Sequence, residues 1–427
     1  MPGSPYALSR GPAWRRPLAL AVEGGFLLRV IAADLVQWRV DRAGDGRVCL
    51  LPDAEYYWKL AQTIRDGEVF QIVEWGDIPH FALRTPGYPL FLAGCRAVLG
   101  DNPLGARLVQ AALGAACVWL VYRLALATLG EDRRRLALVA AAITAVHPYF
   151  IVMSALLLSE ALFVPLLLAF LWAAAVLWDR DDARGVLAPA LAAGAAAGAA
   201  VLVRPSCVMY FPAALAAWGV YMLATRRAAR PVVVAALATA AAFSAVMAPW
   251  WVRNARVHGD FVPTALWAGA SLYDGLNPDA TGASDMRFMA DPDVWPLDER
   301  DQDERLKAGA LAFARENPGR AARLALVKLG RYWSPWPNAE AARSPWLTGA
   351  AALAMTPPLV LMAIGLWALR RDVRAWALLA GPILYFGALH MAFASSMRYR
   401  TPGEVPATAL AAVGLSRAIR RPSPGSG

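Results

Sequence analysis

The chain has 427 residues, of which 58% are hydrophobic and only 17% charged. Soluble domains run nearer to about 45–50% apolar and about 25% charged, so a soluble globular protein is excluded and a polytopic membrane protein indicated. The formal charge of +10 does not mark a nucleic-acid surface, because the basic residues fall in short clusters between apolar runs, the pattern of topology-setting loops.

Taken in chain order, about ten stretches approach the roughly 20 apolar residues that a membrane span needs. They lie near 17–36, 103–128, 136–152, 156–178, 186–203, 207–224, 231–250, 347–369, 374–394 and 402–417. The first is weak, since it holds Glu23, Arg29 and Asp34, and the last is short. No cleavage site for a signal peptide is evident. Basic residues mark alternate loops: Arg15 and Arg16, Arg133 to Arg135, Arg180 and Arg184, Arg226, Arg227 and Arg230, Arg370, Arg371 and Arg374, and Arg420 and Arg421. The positive-inside rule assigns all of these, and both termini, to the cytoplasm.

Two long segments then fall on the outer side, residues 37–102 and 251–346, within one membrane module covering 1–427. In the first, LPDAEYYWKLAQTIRD (51–66) puts Tyr57, Leu60, Ala61 and Ile64 on one helical face. Tyr56, Tyr57 and Trp58 suit the headgroup region, so a helix lying on the membrane is expected. PGYPLFLAGCRAVLG (86–100) reads as a second such helix, with Tyr88, Phe91, Leu92 and Cys95 on one face. In the second segment PWWVRN reads as a corner with interfacial tryptophans. Residues 301–316 read as a helix, and Asn317 as the cap of another that starts at Pro318 and runs to about Trp333. The small residues of APALAAGAAAGAAVLV are read as allowing close helix packing. The four cysteines form no CxxC pair, so no zinc ribbon or redox motif is present. Cys49 and Cys95 are either a disulfide in an oxidising compartment or two free thiols.

With this topology the chemically loaded residues share one face: Asp53 and Glu55, His80 and Arg84, Ser159 and Glu160, Arg204, Arg253 and Asn254, and Arg398 and Arg400. A few acids among several arginines suit an anionic substrate with a lipid tail, because the planar guanidinium binds phosphate oxygens at more than one point.

The stretches RTPGYPLFLAG, SALLLSEALF, LVRPS, PWWVRNARVHGDFVP with GLNPDATG, NPGRAARLALVKLGRYW and MRYRTPGEVPATALAA, spread over residues 50–416, resemble bacterial integral-membrane glycosyltransferases of the GT-C superfamily. Their protein mannosyltransferase and aminoarabinose transferase branch is the nearest. The resemblance implies an all-α polytopic fold with membrane-parallel helices in the first outer loop. It implies an inner-membrane enzyme that moves a sugar from a polyprenyl-phosphate donor to a lipid, glycan or protein acceptor on the outer (periplasmic) face. It puts Asp53 at the position of the family's catalytic acid/base and Glu160 at its second acidic position. Some branches of the family bind a divalent cation and others do not, and no ligand spacing here selects between them.

The chemistry of such a transfer is consistent with the residues. In an inverting single displacement one carboxylate removes the acceptor proton. The phosphate departs as a stable anion that needs positive charge rather than a general acid. Asp53 is thus the expected base and Glu160 its support. Arg84, Arg204, Arg398 and Arg400 are expected phosphate contacts, and Glu55 and His80 acceptor or metal contacts. The bland alternatives are an N-cap for Asp53, a solvated first-turn acid for Glu55 and a snorkelling anchor for Arg204. Two rival functions share the helix count: a secondary transporter or lipid flippase, although no half-to-half repeat is seen, and a non-catalytic glycan-assembly protein.

Overall fold

The computed structural model describes residues 14–43, 48–73, 78–225, 229–338 and 344–419; Arg226, Arg227, Arg420 and Arg421 lie outside the described residues. The described residues are mostly helical, with one isolated β-bridge among them, between Ile72 and His80. The helices are α1 (Arg15–Ala43), α2 (Pro52–Arg65), α3 (Gly87–Leu99), α4 (Pro103–Leu129), α5 (Arg134–Val146), α6 (Pro148–Ala155), α7 (Glu160–Trp178), α8 (Leu187–Val203) and α9 (Tyr210–Ala224). The chain continues through α10 (Ala229–His258), α11 (Ala268–Gly275), α12 (Glu299–Glu316), α13 (Pro318–Trp333), α14 (Pro345–Ala368), α15 (Val373–Ala375), α16 (Gly381–Ala392) and α17 (Thr401–Ile419).

All ten apolar stretches expected from the sequence are helical. Six of the helical segments are long and apolar enough to cross a bilayer: α4, α7, Pro205–Ala224, α10, α14 and Val373–Ala392. The helices α5 and α6, bent by 54° at His147, make a seventh if they are one span. At 17 residues α8 is apolar but short, while α1 and α17 cover the remaining two stretches.

The bend explains one of the three charges that weaken the first stretch, Arg29. A broken helix inside a bilayer is tolerated only where its freed backbone groups find protein partners. Arg29 of α1 is 1% exposed and donates to the carbonyls of Thr144 and Ala145 at 3.1 and 3.0 Å, at the end of α5. Arg107 of α4 donates to Ala155 O at 3.2 Å, and Gln110 to Ser154 O and Leu156 O at 2.9 and 2.8 Å, at the end of α6. Cations at these carbonyl ends also complement the helix dipoles. The polar side chains thus hold the irregular stretch 147–159 that delivers Glu160.

Small residues let the spans close up, as expected for the alanine-rich run. A Cβ on Gly194 of α8 would stand 2.2 Å from Thr239 O of α10, and one on Gly365 of α14 would stand 1.9 Å from Leu410 O of α17. The basic segments meet in pairs. Arg374 pairs with Asp179 at 2.7 Å, and Arg134 lies 5.1 Å from the Trp14 ring.

Outside the spans, α2 and α3 pack on each other. The aromatics of α2 do more packing than was expected of interfacial anchors: Trp58 is buried, with Arg96 of α3 stacked over it at 4.3 Å, and Tyr57 meets Tyr88 edge-on at 4.9 Å. PWWVRN is not a corner. It is the interior of α10, whose Trp250 and Trp251 indoles donate to Thr264 O and Pro263 O at 2.7 and 2.9 Å and clasp the returning chain. The second long segment holds α11 to α13. The start of α13 at Pro318 is as expected, but Asn317 does not cap it; its side chain donates back to Phe313 O at 3.2 Å. The four cysteines are buried free thiols.

Candidate active site

Four breaks in helical structure bring four charged side chains together. The first is the start of α2. Leu51 is the N-cap and Pro52 occupies the first turn, where its missing N–H is no loss. Asp53 is therefore inside the helix and makes no cap bond. The second is the start of α7, where Glu160 is the first residue and 1% exposed. The third is the 3-10 turn Met397–Arg400.

Arg398 on that turn joins the other two. Its Nη1 donates to Asp53 Oδ2 at 3.0 Å, and its Nε donates to Glu160 Oε1 at 2.6 Å. Arg204, in extended backbone between α8 and Pro205, completes the group: its Nη1 lies 2.9 Å from Glu160 Oε1 and donates to Ser159 Oγ at 3.1 Å. The result is a chain Asp53–Arg398–Glu160–Arg204. Glu160 is the buried anion between two arginines, which is what its burial requires. Asp53 stands at the open end with a side chain 46% exposed. Tyr399 lies within 6 Å of both guanidiniums, at 5.9 Å from Arg204 and 5.7 Å from Arg398, and its other contact is a parallel stack with His390 at 4.3 Å.

Arg84 acts on the same carboxylate. Burial pushes the Asp53 carboxyl up, but the charges of Arg398 and Arg84 and the bond from Arg398 outweigh it and hold the group below the usual aspartate value. Arg84 itself stacks on Trp267, 5.0 Å from the ring.

The other expected site residues lie elsewhere. Arg400 faces away from the cluster: it is fully buried, its Nε donates to Glu404 Oε2 at 2.8 Å, and its Nη1 donates to Tyr332 O and Ser334 O at 2.8 and 3.0 Å. It ties the turn bearing Arg398 to the end of α13. Glu55 accepts from Val48 N and Cys49 N through Oε1 at 2.7 and 2.5 Å and so anchors the approach to α2. His80 is 1% exposed and meets Gln302 Oε1 through Nε2 at 2.9 Å. Each is bonded within the protein through one side-chain atom. A divalent cation does not fit the donor set either: among the described residues no group of three or more His, Cys, Asp or Glu could hold one, and the Arg398 cation already stands between Asp53 and Glu160. Sequence reasoning passed over Tyr399 and Trp267, two tyrosine and tryptophan residues among many, with no spacing to mark them.

Residues 83–252 match the sequence model of the dolichyl-phosphate-mannose-protein mannosyltransferase family. No curated protein matches the sequence. The AglB oligosaccharyltransferase of Archaeoglobus fulgidus, solved with an inhibitory peptide and a dolichol-phosphate, is 14% identical, with a TM-score of 0.57 over 95% of this chain and 50% of that one. The apo form of the oligosaccharyltransferase from that organism gives 14% identity and a TM-score of 0.60 over 96% and 51%. ArnT of Cupriavidus metallidurans bound to undecaprenyl phosphate is 15% identical, with a TM-score of 0.46 over 94% of this chain and 78% of that one. The chain has the fold of the integral-membrane GT-C superfamily. It spans about half the length of the archaeal oligosaccharyltransferases. The matched segment, less than half of the chain, is similar to the mannosyltransferase family.

Proposed function

We propose that this protein is a glycosyltransferase that moves a sugar from a polyprenyl-phosphate donor to a lipid, glycan or protein acceptor by inverting single displacement. The observation that carries the reading is Arg398, which binds Asp53 and Glu160 at once beside Arg204. The relation to dolichyl-phosphate-mannose-dependent enzymes and the dolichol-phosphate bound by AglB support the choice of donor.

In this reading Arg398, Arg204 and Arg84 receive the donor phosphate and carry its negative charge as the glycosidic bond breaks. Glu160 keeps Arg398 and Arg204 aimed. Asp53, ionised at neutral pH, takes the acceptor proton. A phosphate that draws Arg398 toward itself weakens that arginine's hold on Asp53 and makes the carboxylate a stronger base. Arg400, Glu55 and His80 shape the site through contacts within the protein rather than through substrate. Every step uses the protein's own side chains. The placement of basic residues in alternate loops supports an outer-face site and cytoplasmic termini, in a multi-pass protein of the bacterial inner membrane.

Purified protein supplied with a polyprenyl-phosphate sugar and a panel of acceptors tests the assignment. Asp53→Asn should lower transfer by about 10²-fold or more. Transfer at the wild-type rate by this variant would overturn Asp53 as the base.

A further inference from the structure

The outer segment between α10 and α14 reaches back to the stretch that carries Arg84. Glu299, the first residue of α12, is 5% exposed. Its two oxygens accept from successive backbone N–H groups, those of Phe81 and Ala82, each at 2.8 Å. One turn along the helix, Gln302 meets His80 and is itself held by donating to Leu297 O at 3.0 Å. The carbonyls of the same stretch are taken too. Arg253 of α10 donates to Phe81 O at 2.7 Å, and Leu266 N donates to Ala82 O at 2.8 Å. The residue after Leu266 is Trp267, on which Arg84 stacks.

Glu299 is not needed for its own helix. Asp298 caps α12 by accepting from Arg300 N and Asp301 N, both at 2.9 Å. A buried carboxylate is costly unless it is fully bonded, and here the bonds go to a stretch more than 200 residues away in sequence. Two N–H groups facing two carboxylate oxygens form charge-assisted bonds, which are stronger and more directional than neutral ones.

We propose that Glu299 is a positioning residue that fixes residues 80–84 so that Arg84 stands against Asp53. On the reading given above, which this proposal extends, it thereby places Arg84 for the donor phosphate. The groups whose charge acts on or couples to Asp53 are Arg84 from this stretch, Arg398 and Tyr399 from the 3-10 turn and Glu160 from α7. Of these, Arg84 is the one on the stretch that Glu299 grips.

Glu299→Gln is the variant of choice, since an amide offers one acceptor where two N–H donors wait. Amide hydrogen exchange of the purified protein reads the clamp without any ligand. Exchange in a peptide covering 80–84 should rise by about tenfold or more, the effect of losing a charged hydrogen bond, while peptides of α4 and α7 keep their protection. Undecaprenyl phosphate binding, followed in detergent, should weaken by about tenfold in Glu299→Gln and in Arg84→Ala, and the double variant should bind no worse than Arg84→Ala alone. Unchanged exchange, or a Glu299→Gln effect on binding that persists in the Arg84→Ala background, would overturn the proposal. Faster exchange together with wild-type lipid binding by Arg84→Ala leaves the positioning intact and removes Arg84 from the phosphate site. If Glu299→Gln does not fold, Glu299→Asp, which keeps the charge but withdraws it by one methylene, serves for both measurements with the same criteria.

Discussion

At the scale of the residue, the fate of Asp53 is set by its neighbours. The start of α2 is held by Pro52 and by Glu55, whose carboxylate anchors Val48 and Cys49, so Asp53 is released to face Arg398. Two cations keep its proton affinity low. Arg398→Ala removes the nearer cation and its hydrogen bond, and the Asp53 carboxyl should then hold its proton to higher pH. A base works only when deprotonated, so the acid limb of the transfer rate should move up by about one pH unit or more. A limb that stays in place, measured between pH 4 and pH 8 on the purified enzyme, would show that the limb is not set by Asp53. The pair Asp53 and Glu160 was legible in the sequence as acids on one face. Arg400 and Arg398, two residues apart, looked equivalent there. They differ because a 3-10 turn sends one guanidinium toward Glu160 and the other toward Glu404.

At the scale of the element, the bent pair α5–α6 and the packing of α14 on α17 carry the most testable physics. Arg29 supplies the donors for the last carbonyls of α5. Arg29→Leu leaves those carbonyls without partners in the bundle interior, at about 1–3 kcal/mol each. The variant should lose several degrees of thermal midpoint in detergent, and transfer should fall with it because Glu160 follows the irregular stretch. Equal stability of the variant and the wild type would show that the capping contributes nothing. The contact between α14 and α17 allows no side chain at Gly365. Gly365→Ala places a Cβ against Leu410 O, so the helices must separate, and the expected cost is about 1–3 kcal/mol. Unfolding monitored by tryptophan fluorescence reads it. Composition marked the apolar helices clearly, including those with polar residues. It did not show that Arg29, Arg107 and Gln110 serve the backbone of other helices, because a partner more than 40 residues away leaves no periodic trace.

At the scale of the whole molecule, the arrangement of loops makes a topology prediction. Arg374 with Asp179 and Arg134 with Trp14 each join two of the segments assigned to the cytoplasm by their basic residues. A cysteine placed near residue 310 in α12 should react with an impermeant reagent from outside the cell. One at Arg134 should be shielded until the membrane is opened. The reverse pattern would place the site on the cytoplasmic side.

The segment of residues 251–346 is where sequence and structure part most. Two of its helices, α12 and α13, were readable in the sequence, yet its work is tertiary. Glu299 and Gln302 grip residues 80–82, Trp267 carries Arg84, and Arg331 donates to Ser395 O at 3.0 Å, close to Arg398.

By itself the sequence determined that this chain is a bundle of apolar helices, where most of them lie, and that its acids and arginines gather on one side. Those properties follow from local hydrophobicity and loop charge, which act residue by residue. Only the tertiary structure decided that Arg398 is the hub, that Arg400, Glu55 and His80 are taken up by the protein, and that Asp53 is inside its helix rather than capping it. The reason is physical: hydrogen bonds and ion pairs are settled by distances of about 3 Å, and such distances between residues far apart in sequence exist only once the helices have packed.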